Sequence, residues 1–495
     1  MGITIATDQF QAEDYDRFST KVRQNLHALK MLLEKPEFGI GPASIGAELE
    51  FYILDDQLNV SPIGMDLHEC INDPQVTVEL NRFNLEYNLK QQVFSGSPFL
   101  AFENELALAV SRIDAAASPY NAKIVPIGIL PTLERKDFGP GMMTNIPRYR
   151  IFAKCLRGMR GGPFSINIDG EDALHIDAED VTLEGANTSH QIHWRVNPGD
   201  FADYFNAAQL VTPMMVALGA NSPSLFGHHL WDETRITLFK QSIDSRAKSD
   251  HKWRHPPRVY FGMGWVREGA WELFSASTAL YRPIIPIVGD EDPVAEVIAG
   301  RSPKLDELKL HQGTTWPWNR AIYDHTEGGH LRIEMRALPA GPSVVDMSAN
   351  AAFYIGCCLA LKKHINHLIS ILPFNYAEHN FYRAAKEGIH SSILWPSRSQ
   401  VELKETPIIT VAQYLLPLAK DALLEAQVDE VEVERLFTVI EGRLSEKISG
   451  AQWQRQMVKA LQKKYSKKES FHLMLEHYIK NQTTGLPVCD WSLIP

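Results

Sequence analysis

The stretch Ile45-Gly46-Ala47-Glu48-Leu49-Glu50-Phe51-Tyr52-Ile53-Leu54 decides how this chain reads. It is apolar on both sides of two carboxylates, β-branched and aromatic towards its end, and closed by the turn-forming pair Asp55-Asp56, so a strand is expected. Side chains alternate along a strand, which puts Glu48 and Glu50 on the same side. Two neighbouring acids on an apolar strand repel each other and lose hydration, and a cation between them relieves both costs. For a lone Glu-x-Glu the plain reading is an edge strand with a solvated acidic face. What lies downstream shifts that balance.

Residues 83–89 alternate again: Leu85, Tyr87 and Leu89 face one way, and Asn84, Glu86 and Asn88 the other. Glu79 stands at the entry to this segment. In 187–196, Gln191, His193 and Arg195 share a face; a histidine there could ligate a metal or bind phosphate, although a lone histidine is more often structural. In 330–336, Arg332, Glu334 and Arg336 oppose Leu331, Ile333 and Met335. That pattern fits an internal salt-bridge ladder, or a site holding both metal and phosphate. Residues 311–320, with Thr314, Thr315 and Arg320 among tryptophans and a proline, have the character of a substrate-facing loop.

Around these strands the periodicity predicts helices over 10–33, with Phe18, Val22, Leu26, Leu29 and Leu33 at helical spacing, over 97–116, over 201–218, and along the apolar run 349–361. A buried strand is expected over 123–129, and a basic, glycine-rich turn over 156–163 that could present N–H groups to an anion or serve as a plain connector. From 349 onward the chain reads as mainly helical.

The bulk composition narrows the class. The chain has 495 residues, with 44% hydrophobic and 22% charged, values of an ordinary globular protein. The net charge of −11 argues against a nucleic-acid binder and against an anionic membrane surface. No apolar run is read as membrane-spanning, and MGITIATDQF lacks the basic-then-apolar pattern of a secretion signal. Cys70, Cys155, Cys357, Cys358 and Cys489 contain no Cys-x-x-Cys pair, so a reduced, cytoplasmic protein is expected.

Phosphate-binding Gly-x-x-x-x-Gly-Lys loops, nucleophile elbows and His-Glu-x-x-His pairs are missing from the sequence. Instead Glu48, Glu50, Glu79, Glu86, His193 and Glu334 sit on or beside separate strands. This oxygen-rich set suits Mg²⁺ or Mn²⁺ better than zinc. Arg235, Arg332 and Arg336 can offset phosphate or carboxylate charge through paired hydrogen bonds. Carboxylates for metals and arginines for phosphates are the equipment of phosphoryl transfer.

These residues resemble the ATP-dependent carboxylate–amine ligases of the glutamate–cysteine ligase type, within the glutamine synthetase-like superfamily. Gly46-Ala47-Glu48-Leu49-Glu50-Phe51 looks like that family's opening metal-binding strand, Glu79 and Glu86 like its second acidic pair, and Gln191-Ile192-His193 like the strand reaching the nucleotide-side metal. Ala220-Asn221-Ser222-Pro223 with Gly227 and Arg235 is similar to its substrate-binding segment, and Thr314-Thr315 through Arg320 to Glu334-Met335-Arg336 and Gly341-Pro342 to its later motifs. Trp316, Trp318 and an enlarged acidic segment over 165–184 depart from the pattern on the acceptor side.

The resemblance implies an α+β, glutamine synthetase-like fold: a curved antiparallel sheet with helices on its convex side and a helical C-terminal region. Its expected partition is an N-terminal helix over 1–39, a catalytic domain over 40–360, and helices over 361–495 packed on it. The implied metal ligands are Glu48, Glu50, Glu79, Glu86, His193 and Glu334, for Mg²⁺. Gln191, His193, Arg332 and Arg336 would hold ATP, and Arg235, Thr314, Thr315 and Arg320 the substrates, with Arg336 and Arg235 taking the catalytic roles. The implied reaction is glutamate–cysteine ligation through a γ-glutamyl phosphate, by a monomer or homodimer. A different amine or carboxylate, a guanidino kinase, and a non-catalytic nucleotide or metabolite sensor remain as alternatives.

Overall fold

The structure is a computed structural model that describes residues 9–397 and 402–493. Its centre is an eight-stranded sheet: β1 (Ser44–Asp55), β2 (Val76–Val78), β3 (Asn84–Asn88), β4 (Gln92–Val93), β5 (Ala122–Val125), β6 (His190–Val196), β7 (Asn319–Asp324) and β8 (His330–Met335). The order is β7-β8-β6-β1-β3-β2, with β4 and β5 also paired to β1. Every pairing is antiparallel. The sheet curls into an open half-barrel.

The alternation read in the sequence decides which face is which. Ala47, Leu49, Phe51 and Ile53 of β1, with Leu85 and Tyr87 of β3, pack on Phe102, Leu106 and Ile113, so the back of the sheet is an apolar layer. Burying side chains of this size contributes about 1.5–3 kcal/mol each. The opposite face keeps Glu48, Glu50 and Glu86.

Helix α1 (Ala12–Leu33) buries Phe18, Val22, Ala28, Leu29 and Leu32, with Leu26 and Leu33 half-buried. Glu13 and Asp14 in its first turn and Lys30 in its last complement the helix dipole. Helix α2 (Pro98–Ala117) carries the covering residues just named. The expected strand over 123–129 stops at Val125, because Pro126 has no N–H to give a ladder.

Helix α3 (Pro147–Arg160) corrects the reading of 156–163 as a basic turn. Pro147 opens the helix and Gly161, at φ 68°, caps it in the left-handed region, so Arg157 and Arg160 are helical. Both are engaged: Arg157 with Glu179, Arg160 with Asp244. Only Ile151 and Leu156 are fully buried, and that sparse stripe hid the helical period.

Helix α4 (Phe201–Gly219) is almost wholly interior. Against it lies α5 (Val344–Lys362), which is longer and more apolar than the sequence reading allowed. At 19 residues and a mean hydropathy of 1.5 it meets the length and composition of a membrane span, yet it is 83% buried inside the protein. It also packs on α2 and on α6 (Ile408–Glu425) and α7 (Glu430–Glu446), and α8 (Gly450–Leu461) and α9 (Lys467–Gln482) follow. Arg443 of α7 reaches Asp346 of α5 at 2.6 Å with both side chains buried. A hairpin, Ser392–Pro396 with Leu403–Pro407, interrupts the region read as helical. One apolar cluster runs from Phe18 to Trp491, so the C-terminal helices share the main core. All five cysteines are free.

Candidate active site

Register brings the acids together. Glu50 stands directly across from Glu86, Glu48 from Gln191, and His193 between Gly46 on one side and Glu334 on the other. Two triads result, each with its ligand atoms within 4.8 Å of one another: Glu50, Glu79 and Glu86, and Glu48, His193 and Glu334.

In the first triad neutral donors hold the carboxylates. Thr77 Oγ1 and Asn88 Nδ2 donate to Glu86 at 2.9 and 2.8 Å, while the Ser189 amide and hydroxyl donate to Glu50 at 2.8 and 2.9 Å. Burial, with the charges of Glu48 and Glu50, pushes the Glu86 carboxyl up to about 8. Glu79 rises well above the carboxylate range through burial and its neighbours Glu86 and Glu50. Burial also raises Glu50, against the pull of Arg235 and Ser189.

The second triad carries its own compensation. Burial opposes ionisation of Glu334, but Arg320, Arg336 and His193 overcome it and hold the carboxyl far below its usual value. Arg320 grips both its oxygens, at 2.5 and 2.8 Å, and Arg336 lies at 3.1 Å. His193 Nε2 sits 3.0 Å from Glu48 and 3.6 Å from Glu334. Burial opposes ionisation of Glu48 too, but the charge and hydrogen bond of His193, with the Arg336 charge, together lower it overall.

A divalent cation fits this donor set. The first triad is all oxygen, crowded, and short of positive charge, so ionising it without an ion is costly. Such a donor set would suit a hard cation, Mg²⁺ or Mn²⁺, better than zinc.

The first triad and Glu48 of the second open on a cavity of about 580 Å³, lined also by Gln191, Arg336 and Arg320 and by Tyr149, Phe152 and Trp316. Gln191 links the two halves, donating to Glu50 at 3.0 Å and accepting from Arg336. Arg332 belongs to a separate recess of about 280 Å³ shared with Gly46, Glu48 and His193, and pairs with Asp324 at 3.4 Å.

Other expected substrate contacts are placed differently. Thr314 lines the cavity, but its hydroxyl donates to the His311 carbonyl. Thr315 is fully buried and bonds the Gln312 carbonyl. Arg235, 2% exposed, does not line the cavity; its Nη1 is held by Glu233 at 3.0 Å and the Ala337 carbonyl at 3.2 Å. Of the two departing tryptophans, Trp316 reaches the cavity and Trp318 is buried in the core.

One site residue escaped the sequence reading. Glu184 lines the cavity, and burial with the nearby Glu50 charge pushes its carboxyl up to about 8. It lies in the 3-10 turn Thr182–Ala186, where no strand alternation exists to reveal it. The only signal was its place at the end of the enlarged acidic segment.

The curled antiparallel sheet is similar to that of glutamate–cysteine ligase structures, and the family match places the chain among the carboxylate–amine ligases. The chain belongs to glutamate–cysteine ligase family 2, whose model matches residues 44–477. Among solved structures it is similar to a glutamate–cysteine ligase from Francisella tularensis in complex with AMP, with a TM-score of 0.55 and 11% identity over 92% of this chain and 91% of that one. A bifunctional glutathione synthetase from Pasteurella multocida aligns with a TM-score of 0.48 and 10% identity, over 94% of this chain and 55% of that one. At such identities the likeness speaks to fold alone. No curated protein matches the sequence.

Proposed function

We propose that this chain is an ATP-dependent ligase that activates a glutamate-like carboxylate as an acyl phosphate and passes it to an amine, with glutamate–cysteine ligation as the reference reaction. The observation that carries this reading is the pair of triads, Glu50–Glu79–Glu86 and Glu48–His193–Glu334, set beside Arg336 on one face of a sheet. Mg²⁺ bound there would neutralise phosphate charge. Residues 40–360 carry the chemistry as the catalytic domain, preceded by the N-terminal helix, with the described C-terminal helices packed on it. Five free cysteines fit a reducing compartment such as the cytoplasm.

The chain's own residues then divide the work. His193, Gln191 and Arg332 face the nucleotide. Arg336 draws charge from the γ-phosphate as the substrate carboxylate oxygen bonds to phosphorus and ADP leaves. Arg320 keeps Glu334 ionised and oriented. The amine nitrogen then bonds to the acyl carbon, phosphate departs with the bonding electrons, and the amine loses a proton. This scheme uses no protein nucleophile; positioning and charge neutralisation supply the rate.

The test is ADP release by the full chain with ATP, Mg²⁺, glutamate and a panel of amino acids and amines, cysteine first. Amine-dependent ADP and amide formation support the reading. ATP binding without turnover on any pair would replace it with a nucleotide sensor.

A further inference from the structure

A second chamber of about 280 Å³ adjoins the catalytic cavity, and the two share Gln312, Arg320 and Ala321 as a common wall. The chamber is mainly apolar where the cavity is acidic: Tyr260, Phe261, Trp265, Val266, Leu273 and Pro317 line it, and the charged lining residues Arg267 and Glu272 pair with each other at 3.0 Å. Its inner polar groups are already satisfied. Gln209 donates to the Phe261 carbonyl at 3.0 Å, and Asn319 donates to Gln209 at 2.7 Å. What remains open is surface for a hydrocarbon substituent.

Arg320 fixes where the chamber stands relative to the chemistry. Its guanidinium is clamped on Glu334, so the chamber begins one side chain away from the second triad. On that triad's other flank lies the polar recess of Glu48, His193 and Arg332, which suits phosphates. The reacting centre is thus flanked by one polar and one apolar subsite.

We infer that the acceptor of this ligase is a primary amine with an aromatic or branched aliphatic substituent, which passes Arg320 and fills the Tyr260–Trp265 chamber. This inference rests on the ligase reading above. A cysteine side chain, one carbon and one sulfur, leaves most of such a volume empty, and unfilled apolar surface forfeits the gain of burial.

The experiment compares kcat/KM for phenylalanine, leucine, phenethylamine and cysteine in ADP release, alongside calorimetric titration of phenethylamine. The full chain and its Ala276→Phe variant, which narrows the chamber, are measured together. Met263→Glu, at the half-exposed mouth, is a second variant should the first misfold. At least a tenfold preference for an apolar amine over cysteine is expected, falling at least tenfold in either variant. A preference for cysteine, or an apolar preference indifferent to both variants, overturns the inference. So does a variant that instead raises KM for ATP, which would make the chamber the site of the nucleotide base. Should no amine support turnover while phenethylamine still binds wild type and not the variants, the ligase reading falls and the chamber's specificity stands.

Discussion

Arg320 holds both carboxylate oxygens of Glu334 from directly across the β7–β8 pair, at 2.5 and 2.8 Å. A residue expected to touch substrate lines the cavity and also grips a metal-ligand candidate. Its bidentate grip keeps a fully buried carboxylate ionised and aimed at His193, which strand pairing alone does not do.

Glu334→Gln and Glu48→Gln are therefore expected to abolish Mg²⁺-dependent ADP formation while leaving the far-ultraviolet circular dichroism unchanged. An active Glu334→Gln enzyme would remove that residue from the site.

Arg320→Leu is expected to destabilise the protein towards the lower end of the about 3–5 kcal/mol typical of breaking a buried pair, because Arg336 remains beside Glu334. Urea unfolding reads this directly. A neutral substitution would mean that the clamp contributes nothing net.

The first triad makes stability depend on pH. Burial and neighbouring acids push the Glu86 and Glu184 carboxyls up to about 8 in the folded, metal-free protein, well above the ordinary glutamate value of 4.5. Between those values the folded state holds more protons than the unfolded one, so stability falls as pH rises through that window. Mg²⁺ should therefore raise the Tm more at pH 8 than at pH 6, and its addition at pH 7 should release protons into a weakly buffered solution. Equal Tm gains at both pH values, with no proton release, would show that these carboxyls do not bind the ion.

Outside the cavity lining, Asp346→Ala should cost about 3–5 kcal/mol, since it strands the buried guanidinium of Arg443. Thermal unfolding measures the loss, and KM for ATP should stay within twofold. A large shift in KM at full folding would instead couple the C-terminal helices to the site.

The sequence alone placed the acids on the correct sides of their strands. Alternation in 45–54 and 83–89, and in the strands that carry His193 and Glu334, carries that information locally, because consecutive side chains must point to opposite faces. The missing nucleophile motifs and the oxygen-rich ligand set pointed to metal and phosphate for the same local reason. Alternation fixes a side, however, and not a neighbour. Only the fold decided that Glu50 faces Glu86 and that His193 lies between Gly46 and Glu334, since register is settled by packing across strands far apart in the chain. The same non-local packing drew Arg235 onto Glu233, clamped Arg320 on Glu334, and carried Glu184 into the cavity on a turn with no period to read.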